Sequence, residues 1–258
     1  MTLFFLHLFF ESYVMKLLYS IKRQIPNLIT LGNLTCGVIA SYYAAQGYGK
    51  LAAYFIIGGI FLDFFDGLAA RLLGVASPVG KELDSLADVV TSGVAPALIL
   101  FNIIYSTCEW TATLRYLALL MPAFAAYRLA KFNLDTRQSH SFLGLPVPSN
   151  ALIWVGIAFA YYNPNFDLDL LFSNSTLIGL SILSLITDIL MVSELPMFSL
   201  KFNFKDLSWK TNRIQYIFLL GCAIIIALTR QWYAITLIIL WYILFSLLTQ
   251  CKHTSHEQ

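Results

Sequence analysis

Residues 62–90 read LDFFDGLAARLLGVASPVGKELDSLADVV, with Asp63, Asp66, Arg71, Asp84 and Asp88 set in otherwise apolar, helix-forming sequence. The fold turns on how this stretch is read. If its two halves cross a membrane, each acid stands where a charge costs at least about 2.5–3.5 kcal/mol, and the four must share a neutralising partner. The rest of the chain says that they do cross. Of 258 residues, 59% are hydrophobic and 12% charged, with a mean hydropathy of +0.73. A soluble domain carries about 25% charged residues. Lipid offers backbone groups no hydrogen-bond partner, so the sequence predicts an all-α integral membrane protein.

A helix needs about 20 mostly apolar residues to cross the hydrocarbon core. Candidate spans are 27–46, 50–73, 83–105, 113–133, 148–162, 174–194, 213–230 and 232–250, a polytopic bundle of about eight transmembrane helices. With a cytoplasmic N-terminus, 13 of the 16 Lys and Arg residues fall inside, leaving only Lys50, Arg115 and Arg230 outside. That positive-inside bias puts the acidic stretch at the cytoplasmic end of spans two and three. The expected location is the cytoplasmic (inner) membrane, multi-pass, with the active site facing the cytoplasm. Domain limits read as an N-terminal extension or interfacial segment 1–26, a transmembrane domain 27–250 and a tail 251–258. Within the domain, 27–195 is the catalytic core and 213–250 adds two helices that look like plain bundle elements. The opening MTLFFLHLFF has no basic region before it and no small-residue cleavage site after it, so a signal peptide fits poorly. Met15 is a plausible alternative start, and no function is placed in residues 1–14.

Other features exclude more than they propose. A net charge of +2 is too small for nucleic-acid binding, and Cys36, Cys108, Cys222 and Cys251 lack any metal-ligand spacing. Asn163–Asp169 reads as an external loop. The stretch from Lys201 to Arg213 reads as a cytoplasmic loop whose cations set topology, with Trp209 as interfacial anchor. Pro146 and Pro148 should keep helix out of GLPVPSN, and His140 and Arg137 read as solvated loop residues.

Asp63 and Asp66 are three residues apart and Asp84 and Asp88 four apart, so each pair shares one helix face. An elbow broken by Gly74, Pro78 and Gly80 would fold the two faces together. Arg71 is a single positive charge against four acids. Divalent cations can neutralise the rest, and an all-oxygen set suits Mg²⁺, Mn²⁺ or Ca²⁺ rather than Zn²⁺. Two such ions suit a displacement at phosphorus. The small residues Gly67, Ala69, Ala70 and Gly80 leave room for a bulky group, Arg71 is a natural phosphate ligand, and Ser77 can add a hydrogen bond. Together they point to a nucleotide diphosphate.

Asp63-FF-Asp66-Gly67-LA-Ala70-Arg71, eight residues, then Gly80-KEL-Asp84-SLA-Asp88 resembles the motif of the CDP-alcohol phosphotransferases, with no position departing from it. Members of that family transfer a substituted phosphate from a CDP-linked donor to an alcohol and release CMP. The resemblance implies that Asp63, Asp66, Asp84 and Asp88 hold two divalent cations, Mg²⁺ or Mn²⁺, and that Asp88 is also the general base. It further implies that Gly67, Ala70, Arg71, Ser77 and Gly80, with Asn27 and Thr30 upstream, contact the CDP-diacylglycerol donor. A homodimer is implied in the same way.

Outside the motif, IPNLITLGNLTCGVIA, YRLAKFNLDTRQ and FLGLPVPSNA resemble the membrane-bound bacterial branch whose acceptor is L-serine, over roughly residues 20–200. Arg128, Lys131 and Asn133 end the fourth span on the cytoplasmic side, where they can take a carboxylate or a donor phosphate. Glycerol 3-phosphate or inositol 1-phosphate is the alternative acceptor and would need more positive charge. A cation transporter is the rival of another class, but the acids flank one hairpin and no inverted repeat is present.

Overall fold

The computed structural model describes residues 2–107, 113–135, 142–165, 173–198 and 209–254. Helix α1 runs Thr2–Ala45 and α2 Gly49–Leu73, joined by a turn at Gly47, whose φ of +83° suits glycine. In the membrane-crossing part of α1, Lys22–Ala45, the buried positions are Pro26, Thr30, Asn33, Gly37, Ala40 and Ala44. They recur every three or four residues, giving one narrow stripe of small side chains, and α2 packs along it. Helices in lipid associate through such close backbone approach rather than through hydrophobic burial.

The elbow after α2 is shorter than the sequence suggests. Gly74 (φ +64°) caps α2, and α3 already starts at Pro78 and runs to Asp88. Ser77 is its N-cap, its Oγ accepting from the Gly80 amide at 3.0 Å, and Pro78 fills the first helical position where no N–H is needed. Gly80 therefore lies inside a helix instead of breaking one. After Asp88 the helix widens into a π-helical turn, Val89–Val94, before α4, Ala95–Thr107. In the most apolar 18-residue stretch of Pro78–Tyr105, 67% of residues are buried, against 33% or less in the matching stretches of the other long spans, so this is the central helix of the bundle.

A 3₁₀ segment, Leu114–Leu120, leads into α5, Met121–Leu134. Helix α6 spans Val147–Tyr161, α7 Asn174–Val192, α8 Trp209–Thr229 and α9 Ala234–Thr254. Pro148 sits in the first turn of α6, where a missing N–H costs nothing, so it starts that helix rather than excluding it. Phe142–Leu143 (β1) pairs antiparallel with Pro196–Met197 (β2), tying the two loops at the end of the bundle that carries the acids. Among the described residues, five helices are long and apolar enough to cross a membrane, and Val147–Tyr161 and Ala234–Thr249 are shorter apolar ones. The eight predicted spans all correspond to helical segments. Exposed residues such as Phe61, Phe64, Leu72, Ile182 and Leu228 give the bundle an apolar outer surface suited to lipid.

The last two helices are not plain. Thr236 Oγ1 donates to the Ile153 carbonyl at 2.6 Å, fixing α9 to α6. Tyr242 and Ser246 bond the backbone of Phe198, and Trp241 Nε1 donates to the Phe218 carbonyl against Gly221. Cys36 and Cys222 are free; Arg137, His140 and most of the Lys201–Arg213 loop lie outside the described residues.

Candidate active site

The α2–α3 hairpin folds its acidic faces together. Carboxylate oxygens of Asp63, Asp66 and Asp84 lie within 4.8 Å of one another. Asp63 and Asp84 approach to hydrogen-bonding reach. Asp66 is 6% exposed and accepts from the Thr30 hydroxyl, which also sits 3.1 Å from the Pro26 carbonyl. Asp88, one helical turn beyond Asp84 and 7% exposed, stands outside that 4.8 Å group and accepts from Asn33 Nδ2 at 3.3 Å. It remains within electrostatic reach of Asp63, Asp84 and Arg128.

These residues can hold a metal ion. Three carboxylates at this separation repel unless a cation sits among them, and Asp84 Oδ1 is buried without a hydrogen-bond partner. The donor set is all oxygen, the choice of a hard divalent ion.

Beside the acids opens a cavity of about 580 Å³ whose wall includes Asp66 and Asp84. Asn27, Thr30, Gly67, Ala70, Arg71, Ser77 and Gly80 all line it; Ala69 does not. The two motif glycines differ in purpose. A Cβ on Gly80 would press on Ser77 Oγ and Asn27 Oδ1, so that glycine permits the helix approach. A Cβ on Gly67 would meet no protein atom and would project into open space, so that glycine leaves room for a ligand. Arg71 is exposed and ties its Nε to the Gly67 carbonyl at 3.0 Å, which leaves the rest of its guanidinium available to the cavity.

The residues at the end of α5 separate. Arg128 is 8% exposed, its Nε is without a hydrogen-bond partner, and its charge reaches Asp88. Lys131 instead pairs with Glu194 at 3.0 Å. Asn133 donates to Ser85 Oγ at 2.9 Å and accepts Lys81 Nζ at its carbonyl, bolting α5 to α3. Neither Lys131 nor Asn133 lines the large cavity.

Four supporting residues escape a reading by motif. Asn33 orients Asp88, and Thr91 in the π-turn donates to the Asn33 carbonyl at 3.0 Å, so the turn and α1 hold the acid jointly. π-turns concentrate at functional sites, but no residue pattern marks this one in advance. Asn150 on α6 donates to Asp188 on α7 at 3.5 Å, both fully buried. An Asp within an apolar span was a usable signal for that last pair.

Sequence comparison agrees with this geometry. The model of the CDP-alcohol phosphatidyltransferase family matches residues 23–180, and the chain belongs to that family of membrane transferases. Among its relatives is the CDP-diacylglycerol–serine O-phosphatidyltransferase of Bacillus subtilis, 40% identical over 142 residues, 55% of this chain and 78% of the relative. Proteins of the same name from Helicobacter pylori (strain J99) and Saccharomyces cerevisiae are 37% and 40% identical over 132 and 121 residues. Those matches cover 50% and 43% of this chain and only 55% and 42% of the relatives' own length.

Proposed function

We propose that the protein transfers the phosphatidyl group of CDP-diacylglycerol to the hydroxyl of L-serine and releases CMP, at the cytoplasmic face of the inner membrane. One observation carries this reading: of the three clustered carboxylates, Asp66 and Asp84 line a cavity whose wall also holds all the donor-motif residues. Serine as acceptor is supported by the relatives' names and by the balance of charge around Arg128 among the described residues, Arg128 and Lys131 against Asp135 and Glu194.

In this reading Arg71 and the backbone beside Gly67 hold the diphosphate, and the cytidine lies against Asn27, Ser77 and Gly80. Two divalent cations, Mg²⁺ or Mn²⁺, held by Asp63, Asp66, Asp84 and Asp88 would offset the negative charge of the diphosphate. Asn33 and Thr91 fix Asp88 so that its carboxylate faces the acceptor hydroxyl and takes its proton. The serine oxygen forms a bond to the phosphatidyl phosphorus as the bond to CMP breaks, and CMP leaves with that electron pair. Arg128 holds the acceptor beside Asp88.

The test is an acceptor assay on purified protein in detergent micelles with CDP-diacylglycerol. CMP and product lipid are followed with L-serine, glycerol 3-phosphate and inositol 1-phosphate in turn. Metal-dependent CMP release with phosphatidylserine as product is expected. Release with a phosphorylated acceptor alone would replace the serine reading, and ion uptake without any CMP release would replace the enzyme reading.

A further inference from the structure

Beside Arg128 lies a small recess of about 10 Å³, room for no more than a water molecule. Its charged lining is balanced among the described residues: Arg128 and Lys131 against Asp135 and Glu194. A phosphorylated acceptor would call for excess positive charge, whereas a balanced set suits a molecule carrying one charge of each sign. Lys131 Nζ and Glu194 Oε1 stand 3.0 Å apart across the recess, with the side chains 36% and 58% exposed. Such an exposed pair is weak, so an entering zwitterion can part it.

We propose that Glu194 takes the ammonium group of the acceptor while Arg128 takes its carboxylate, making Glu194 the residue that selects an amino-acid alcohol. This rests on the reading of serine as acceptor. In the unliganded protein Lys131 presents to Glu194 the charge that the substrate ammonium presents later. The segment carrying Glu194 is held in place from both sides. Leu145 N donates to the Leu190 carbonyl at 3.0 Å and Gly144 N to the Leu195 carbonyl at 2.8 Å. Gly144 has a φ of +71°, and a Cβ there would run into the carbonyls of Met191 and Ser193. Glu194 lies beyond residues 23–180, the stretch that the family model matches.

The experiment compares kcat/KM for L-serine and for 3-hydroxypropanoate, which keeps the carboxylate and hydroxyl but lacks the amine. Both acceptors are run with the wild type, Glu194→Gln, Glu194→Asp and Lys131→Met. A hydrogen bond to a charged group corresponds to a preference of about 10–100-fold for serine in the wild type. Glu194→Gln should collapse that ratio, while Glu194→Asp and Lys131→Met should keep most of it. An unchanged ratio in Glu194→Gln, or an equal fall for both acceptors, overturns the inference while leaving serine as the acceptor. A wild type that does not use serine overturns the functional reading and this inference with it.

Discussion

The α2–α3 hairpin and the α5–α7 corner meet at the same end of the bundle, yet one borders a cavity of about 580 Å³ and the other a recess of about 10 Å³. The hairpin is local: the four motif aspartates, two motif glycines and the arginine lie within 26 residues, so forming two helices and one elbow assembles them. The corner is non-local. Its ion pair joins residues 63 apart, and its backbone ties run between the loop before α6 and the end of α7. A site held by short connections can stand open for a large, highly charged donor. The corner, spanned by its own ion pair, leaves only the small recess.

If the hairpin is the metal-dependent half, Asp84→Ala should have the largest effect, lowering turnover by at least about 10²–10³-fold. Chelation should do the same reversibly, with CMP release as the readout and restoration by Mg²⁺ or Mn²⁺ as the control. Full activity in either case would break the contrast at its root. Asp88→Asn should cost about 10²–10⁴-fold in kcat, with little change in KM for CDP-diacylglycerol. A rise in donor KM instead would move Asp88 from the acceptor chemistry to donor binding.

Gly67→Val sharpens the claim that the donor cavity is kept clear. It should cut kcat/KM for CDP-diacylglycerol by about 10²-fold through misplacement of the donor. Its melting temperature should hold, because no neighbouring side chain or other helix lies within 4 Å of a Cβ at that position. The smallest effect belongs to the corner's support. Asn150→Leu leaves the buried Asp188 without the amide that donates to it and should destabilise the fold by about 1–3 kcal/mol, read from unfolding of the solubilised protein. Activity per folded molecule at the donor side should be unchanged.

Much of this was legible early because membrane burial makes charge expensive. An acid in an apolar span demands a partner, and the spacing of Asp63, Asp66, Asp84 and Asp88 already placed both pairs on facing surfaces. The roles of Gly80 and Ser77 were legible only in part. Their residue types suit a turn, but the helix starts at Pro78, and Ser77 spends its oxygen on the cap. Lys131 and Asn133 carry side chains suited to a substrate, and only their neighbours reveal that they pair with Glu194 and Ser85. The polar anchors of α9 were missed for a similar reason: a threonine or serine in an apolar helix gives no sign of which carbonyl it will meet.

The sequence by itself determined the membrane class, the place of each apolar helical span, the hairpin of acids and the family, because hydropathy, period and motif spacing are properties of neighbours along the chain. The tertiary structure alone decided three other things. Asp63, Asp66 and Asp84 form the tight group while Asp88 stands apart with Asn33 and Arg128. Gly67 opens onto empty space while Gly80 is closely packed. Glu194 faces Lys131 at the α5–α7 corner. Each depends on which distant helix packs where, and in lipid that choice follows from shape and hydrogen bonding rather than from the apolar pattern every span shares.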